Sequence, residues 1–156
     1  MSTVLIELRQ GGIADVDQVE RIITEAFDPR YGEAWTRNQV IGILAMPGVW
    51  MTLAEMAGTP CGFALARGIA GEAELLLIAV LPTARRRGVG SALMRCLLAE
   101  CRTRKIATLH LEVRAGNDAI NLYRSTGFVK IGERRDYYRG GNGQSYSALT
   151  LHRKMD

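Results

Sequence analysis

The sequence predicts an α/β (α+β) fold: a mixed, mostly antiparallel central sheet with helices on both faces. Three observations predict it. First, Val49–Glu55, Cys61–Ala66 and Glu74–Leu81 are strand-like and follow one another through short turns, Ala57-Gly58-Thr59-Pro60 and Gly68 to Gly71. Turns that short join antiparallel neighbours and leave no room for a crossover helix. Second, two stretches, Val16 to Phe27 and Ser91 to Leu98, carry apolar residues at helical spacing. Third, the apolar run ending at Pro82 leads through Arg85-Arg86-Arg87-Gly88-Val89-Gly90 directly into the second of these stretches. The local order is buried strand, basic glycine turn, amphipathic helix.

Taken in order, Thr3–Leu8 reads as a first strand ended by Gly11-Gly12. Asp15 is expected to cap a helix, with Gln18 completing a capping box, and Asp28-Pro29 to stop it. An irregular stretch from Arg30 to Trp35 follows, then a second capping box, Thr36 with Gln39, opens a short helix that ends before Pro47-Gly48. Beyond the glycine turn the helix is expected to run to about Arg104. Leu109–Val113 is the next strand, Asp118 starts a short helix stopped by Gly127, and Phe128–Gly132 and Tyr146–His152 are the last strands, parted by Gly140-Gly141-Asn142-Gly143. No repeat or linker divides this order, so residues 1–156 are expected to form one domain.

Composition narrows the function classes. Hydrophobic residues make up 47% and charged residues 23% of 156, ordinary for a globular chain. No apolar run reaches the ~18 residues of a membrane span, and the first residues lack a basic segment followed by an apolar one. A cytoplasmic protein without membrane contact is expected. Cys61, Cys96 and Cys101 are odd in number and show no C-x-x-C, which predicts free thiols; His110 and His152 are the only histidines, so no metal is expected. The net charge of +4 permits acidic partners. The basic residues gather at the glycine turn and at Arg102-Thr103-Arg104-Lys105 rather than in a stripe interleaved with aromatics. They point to a small polyanion before nucleic acid.

The glycine turn supplies the chemistry for one. A tight turn into a helix aims free backbone N–H groups, and the positive end of the helix dipole, at one spot. That spot suits an anion, pyrophosphate above all. Gly88 and Gly90 remove the Cβ atoms that would hold a ligand off, and the arginines add charge. No Gly-Lys-Ser or Gly-Lys-Thr follows, which excludes a Walker A loop, and Ala92 and Leu93 stand where a Rossmann fingerprint needs its third glycine.

Arg-x-x-Gly-x-Gly between a buried strand and a helix resembles the acetyl-CoA signature of the GNAT N-acetyltransferases. Leu111-Glu112-Val113-Arg114, then Asn117, then Leu122-Tyr123-Arg124-Ser125-Thr126-Gly127-Phe128 resembles that family's second block. Together they look most like the RimI branch, which acetylates protein N-termini, over about Glu74 to Tyr138. The resemblance implies the same fold and acetyl-CoA as donor. Its pyrophosphate would sit on the backbone of the loop Arg85, Arg86, Arg87, Gly88, Val89, Gly90 and Ser91. Its pantetheine arm would pair with Ile78, Ala79 and Val80, the N–H of Val80 polarising the thioester. Asn117 would touch the arm, and Tyr31, Glu33, Trp35 and Tyr138 would line the acceptor pocket.

Glu112 is the candidate general base. It alternates with Leu111 and Val113, which turns its carboxylate away from one apolar layer; a surface carboxylate paired with Arg114 or another arginine is the other reading. Tyr123 is the candidate general acid, a phenol able to protonate a departing thiolate, or else a core aromatic. The chain departs from the branch in one place, since Asn117 and Tyr123 stand one residue closer than the pattern expects. The implied acceptor is the N-terminal amine of a protein, in the type case a ribosomal protein. A small-molecule amine is the alternative within the family, and a non-catalytic RNA- or ribosome-binding module is the alternative of another class.

Overall fold

A computed structural model describes residues 5–155. Seven strands are β1 Ile6–Gly11, β2 Val49–Met56, β3 Thr59–Ile69, β4 Glu72–Val80, β5 Thr108–Arg114, β6 Val129–Arg139 and β7 Ser145–Lys154. The helices are α1 Val16–Ala26, α2 Arg37–Leu44, α3 Val89–Thr103 and α4 Ala119–Ser125. The strands form one sheet in the order β1-β2-β3-β4-β5-β7-β6. β1 to β4 are the predicted antiparallel meander. α3 is the crossover that lets β5 lie parallel to β4. β7 slots between β5 and β6, antiparallel to both.

Alternation and helical spacing both resolve into one core. α1 buries Val19, Ile22 and Ile23 against β3 and β4, while α3 buries Leu93, Met94 and Leu97 on the other face of the sheet. Phe63, Leu53 and Leu65 are fully enclosed between them. Truncating such a side chain to Ala typically costs about 3–5 kcal/mol, because the lost contacts leave a cavity. Gly62 lets α3 settle close to the sheet: a Cβ there would meet the Ala79 carbonyl at 2.9 Å and Val89 at 3.1 Å.

Local expectations divide at the helix starts. The Thr36–Gln39 box forms, with Gln39 N–H donating to Thr36 Oγ1 at 3.1 Å and Thr36 N–H to Gln39 Oε1 at 2.8 Å. The Asp15–Gln18 box does not. Asp15 precedes α1, but its carboxylate turns back to the Gly12 N–H at 3.0 Å and to Arg9 at 2.7 Å. A guanidinium offers a stronger, charge-assisted partner than a helix amide. The first strand is also displaced, running Ile6–Gly11; Thr3 and Val4 lie outside the described residues.

Candidate active site

The sheet forks between β4 and β5. Their pairing covers only four positions, Glu72↔Thr108 to Leu75↔Leu111. Immediately beyond, β4 carries a bulge: Ala66 pairs with Leu75 and Leu65 with Leu77, so Leu76 is the extra residue. An extra residue bends its strand and raises its twist, and here the bend falls where β5 peels away. Two consequences follow. The β4 edge from Leu76 to Val80, which includes Ile78, Ala79 and Val80, faces the gap without a β5 partner. Glu112 is the first β5 residue past the last pair, at the floor of the fork.

The glycine loop stands at the rim. Arg86 and Gly88 adopt left-handed backbone, φ +63° and +85°. Gly88 caps α3, and the first helical bond inside it runs from Ala92 N–H to the Gly88 carbonyl at 2.9 Å. No backbone acceptor among the described residues takes the N–H groups of Arg86, Arg87, Gly88, Val89, Gly90 and Ser91. Six successive unengaged donors at the head of a 15-residue helix make a strong anion cradle. The space above is open, since a Cβ at Gly88 would meet nothing nearer than Ile6 at 3.9 Å. Not every arginine here faces a ligand. All three are exposed, but Arg85 donates to the Ala26 carbonyl at 2.9 Å, closing the end of α1.

Around the fork floor the structure gathers residues far apart in sequence. On β5, Leu109, Leu111 and Val113 are buried in the core, which puts His110, Glu112 and Arg114 on the opposite face. Glu112 is 18% exposed, and its Oε1 lies 2.9 Å from Arg134 Nε. Arg114 pairs with Glu33, both side chains nearly buried, and its guanidinium lies 3.6 Å over the ring of Tyr31. Tyr31 meets Tyr146 edge-on at 5.1 Å. Burial pushes the Tyr138 hydroxyl well above the usual phenol range, and the charges of Glu33, Tyr137 and Glu112 add to this.

Tyr123 on α4 is buried, its ring 5.9 Å from that of Phe128, and burial, then the charges of Tyr138 and Glu33, likewise raise its pKa. Its hydroxyl finds no hydrogen-bond partner among the described residues, yet no fully buried side-chain N or O atom is left unpaired. The hydroxyl therefore meets accessible space. It stays protonated at neutral pH, as a proton donor must.

Asn117 is placed otherwise than as a simple ligand. Its amide donates to Glu33 Oε2 at 2.8 Å and its oxygen accepts from Ala119 N–H at 2.8 Å. The second bond closes the start of α4. Trp35 does not join the cluster; it lines an apolar groove on α2 with Gln39, Ile43 and Met46.

A roof spans the side of the site that holds Tyr31 and Glu33. Gly141 N–H donates to the Pro29 carbonyl at 3.0 Å. A Cβ at Gly140 would lie 1.6 Å from the Arg30 carbonyl oxygen, and one at Gly32 would lie 1.9 Å from that of Arg139. The turn after α1 and the β6–β7 hairpin thus touch backbone to backbone, which only glycines allow. Arg114, expected as a possible partner of Glu112, pairs instead with Glu33, and the arginine that meets Glu112 is Arg134. Alternation puts Arg114 on the face of Glu112, and the run Arg134-Arg135-Asp136-Tyr137-Tyr138 resembles the branch's segment before the last strand, but the contact of Arg134 with Glu112 depends on the sheet register.

Fork, glycine-loop cradle and the carboxylate at the fork's floor define a class. The chain belongs to the acetyltransferase (GNAT) family, whose model matches residues 16–128. Among relatives, it is 44% identical over 88 residues to the [ribosomal protein bS18]-alanine N-acetyltransferase of Escherichia coli K12, a match covering 56% of this chain and 60% of that one. It is 39% identical over 142 residues to the N-alpha-acetyltransferase RimI of Mycobacterium tuberculosis, covering 86% and 85%. The crystal structure of the Escherichia coli ribosomal-protein-S18-alanine N-acetyltransferase superposes with a TM-score of 0.86 at 29% identity, over 97% of this chain and 95% of that one. That of Ard1 from Thermoplasma volcanium gives 0.84 at 30% identity, over 97% and 98%.

Proposed function

We propose that residues 1–156 act as one acetyltransferase domain that moves an acetyl group from acetyl-CoA to the N-terminal α-amine of a protein. A ribosomal protein of the kind named for its relatives would be the acceptor, met in the cytoplasm. One observation carries the reading: a fork with an unpaired β4 edge, six free N–H groups at its rim and Glu112 at its floor.

The donor supplies an activated acetyl thioester. Arg86 to Ser91 would hold its pyrophosphate through backbone N–H groups, and Ile78 to Val80 would add its arm as an extra strand. Val80 N–H is the group to polarise the carbonyl. Glu112 accepts the ammonium proton, directly or through one water, and Tyr123 returns a proton to the departing sulfur. Tyr31, Glu33 and Tyr138 shape the acceptor side, with Trp35 further out.

Incubation with acetyl-CoA and peptides of different N-terminal residues, beside small amines, tests this by released CoA. Release with Ala- or Ser-starting peptides is expected. Release with small amines alone would replace the protein acceptor. No release, together with no acetyl-CoA binding by calorimetry, would overturn the reading.

A further inference from the structure

Glu112 must receive a cation, and in this structure it already holds one. Arg134 pairs across β7 through Ala148 with Arg114 on β5, so the two arginines share a row and a face of the sheet. Glu112, two residues before Arg114, shares that face. This brings Arg134 Nε to 2.9 Å from Glu112 Oε1. The pair is lopsided: the Arg134 side chain is 62% exposed and that of Glu112 only 18%. Next to Arg134 the ladder breaks. Arg134 pairs with Ala148, but the next pair is Tyr138 with Tyr146, and Asp136 within the bulge takes φ +52°. A long side chain beside a bulge, with its head in water, can leave its partner at little cost. Glu74 also feels Arg134; desolvation, then the charge of Glu112, raises its carboxyl pKa. Arg134 is thus the exposed cation of a small acidic cluster.

We propose that Arg134 is a positioning residue for the acceptor: it occupies the ammonium position at Glu112 in the resting enzyme and is displaced when the acceptor amine arrives. The proposal rests on the acetyl-transfer reading above. An incoming ammonium competes with a tethered guanidinium for one carboxylate, so every amine meets the same handicap. A peptide can offset it with further contacts in the roofed cleft, while a bare amine cannot. Arg134 would therefore weaken every acceptor by one factor without touching it, so that only an acceptor with further contacts binds at low concentration, while the ratio between peptide and bare amine stays the same.

Steady-state kinetics of wild type, Arg134→Met and Arg134→Gly test it, with a peptide that the wild type acetylates. Removal of an exposed competing ion pair should lower the acceptor KM about two- to fivefold in Arg134→Met, with the acetyl-CoA Kd unmoved by calorimetry. In Arg134→Gly, millimolar guanidinium chloride should raise the KM again, competitively with the acceptor, where sodium chloride of equal ionic strength does not. The wild type should be insensitive to it. An acceptor KM that is unchanged or higher in Arg134→Met, or no difference between the two salts, overturns the role of Arg134. If the wild type releases CoA with no amine at all, the acetyl-transfer reading falls with it. Thermal melting of each variant separates either result from misfolding.

Discussion

The side-chain amide of Asn117 donates to Glu33 Oε2 at 2.8 Å, while Glu33 Oε1 takes the guanidinium of Arg114. One carboxylate from the turn after α1 thereby ties down the end of β5 and the start of α4, the two elements that carry Glu112 and Tyr123. Glu112 and Tyr123 are thus both steadied through one carboxylate of the turn after α1.

Glu33→Ala should therefore destabilise and disorganise at once. It leaves Arg114 nearly buried without its counter-charge, which costs about 3–5 kcal/mol in comparable cases. Urea unfolding should show a lower midpoint, and surviving folded protein a raised acceptor KM. An unchanged midpoint would mean that Arg114 finds water instead.

Glu112→Gln keeps the shape of the fork but removes the proposed proton acceptor. Turnover should fall roughly 100- to 10,000-fold with acetyl-CoA still bound in calorimetry. Tyr123→Phe should slow the reaction less. Because burial lifts the Tyr123 pKa above its ordinary ~10, the phenol stays protonated across neutral pH. The slowing should thus be constant from about pH 7 to 9, well below that ordinary value. A ratio that closes as pH rises would take the proton-donor role from Tyr123.

Two glycine substitutions should separate donor from acceptor. At Gly88, φ +85° penalises any side chain by about 1–2 kcal/mol, and the loop sets the donor cradle. Gly88→Ala should weaken acetyl-CoA binding and leave the acceptor KM nearly alone. Gly140→Ala would drive a Cβ into the Arg30 carbonyl, lifting the hairpin from the turn after α1. Its effect should fall on the acceptor KM and on thermal stability.

The thiols give a check on packing. Burial raises the Cys61 pKa and pushes that of Cys101 up to about 11, whereas Cys96 is half-buried. A raised thiol pKa means less thiolate at a given pH, hence slower alkylation. Iodoacetamide at about pH 8, below an ordinary thiol's pKa, should label Cys96 first, as mass spectrometry of the folded protein would read. Labelling of all three at one rate would indicate a looser core around α3.

The sequence by itself determined the parts whose signals are local. Apolar runs parted by short turns marked the strands of the meander, helical spacing marked α1 and α3, and Thr36-x-x-Gln39 marked the start of α2. The glycine loop was legible because a strand–turn–helix order fixes where six backbone N–H groups point, whatever lies elsewhere. Asp15 was misread for the same reason: its choice of Arg9 over a helix amide depends on a strand six residues earlier. Only the tertiary structure decided the rest. The slot of β7 between β5 and β6, the fork opened by one bulge residue, the Glu33–Arg114–Asn117 tie and the Arg134–Glu112 pair are all contacts between distant segments. Their energies depend on register and burial, and a side chain's charge says nothing of its partner until the sheet has set which residues share a face.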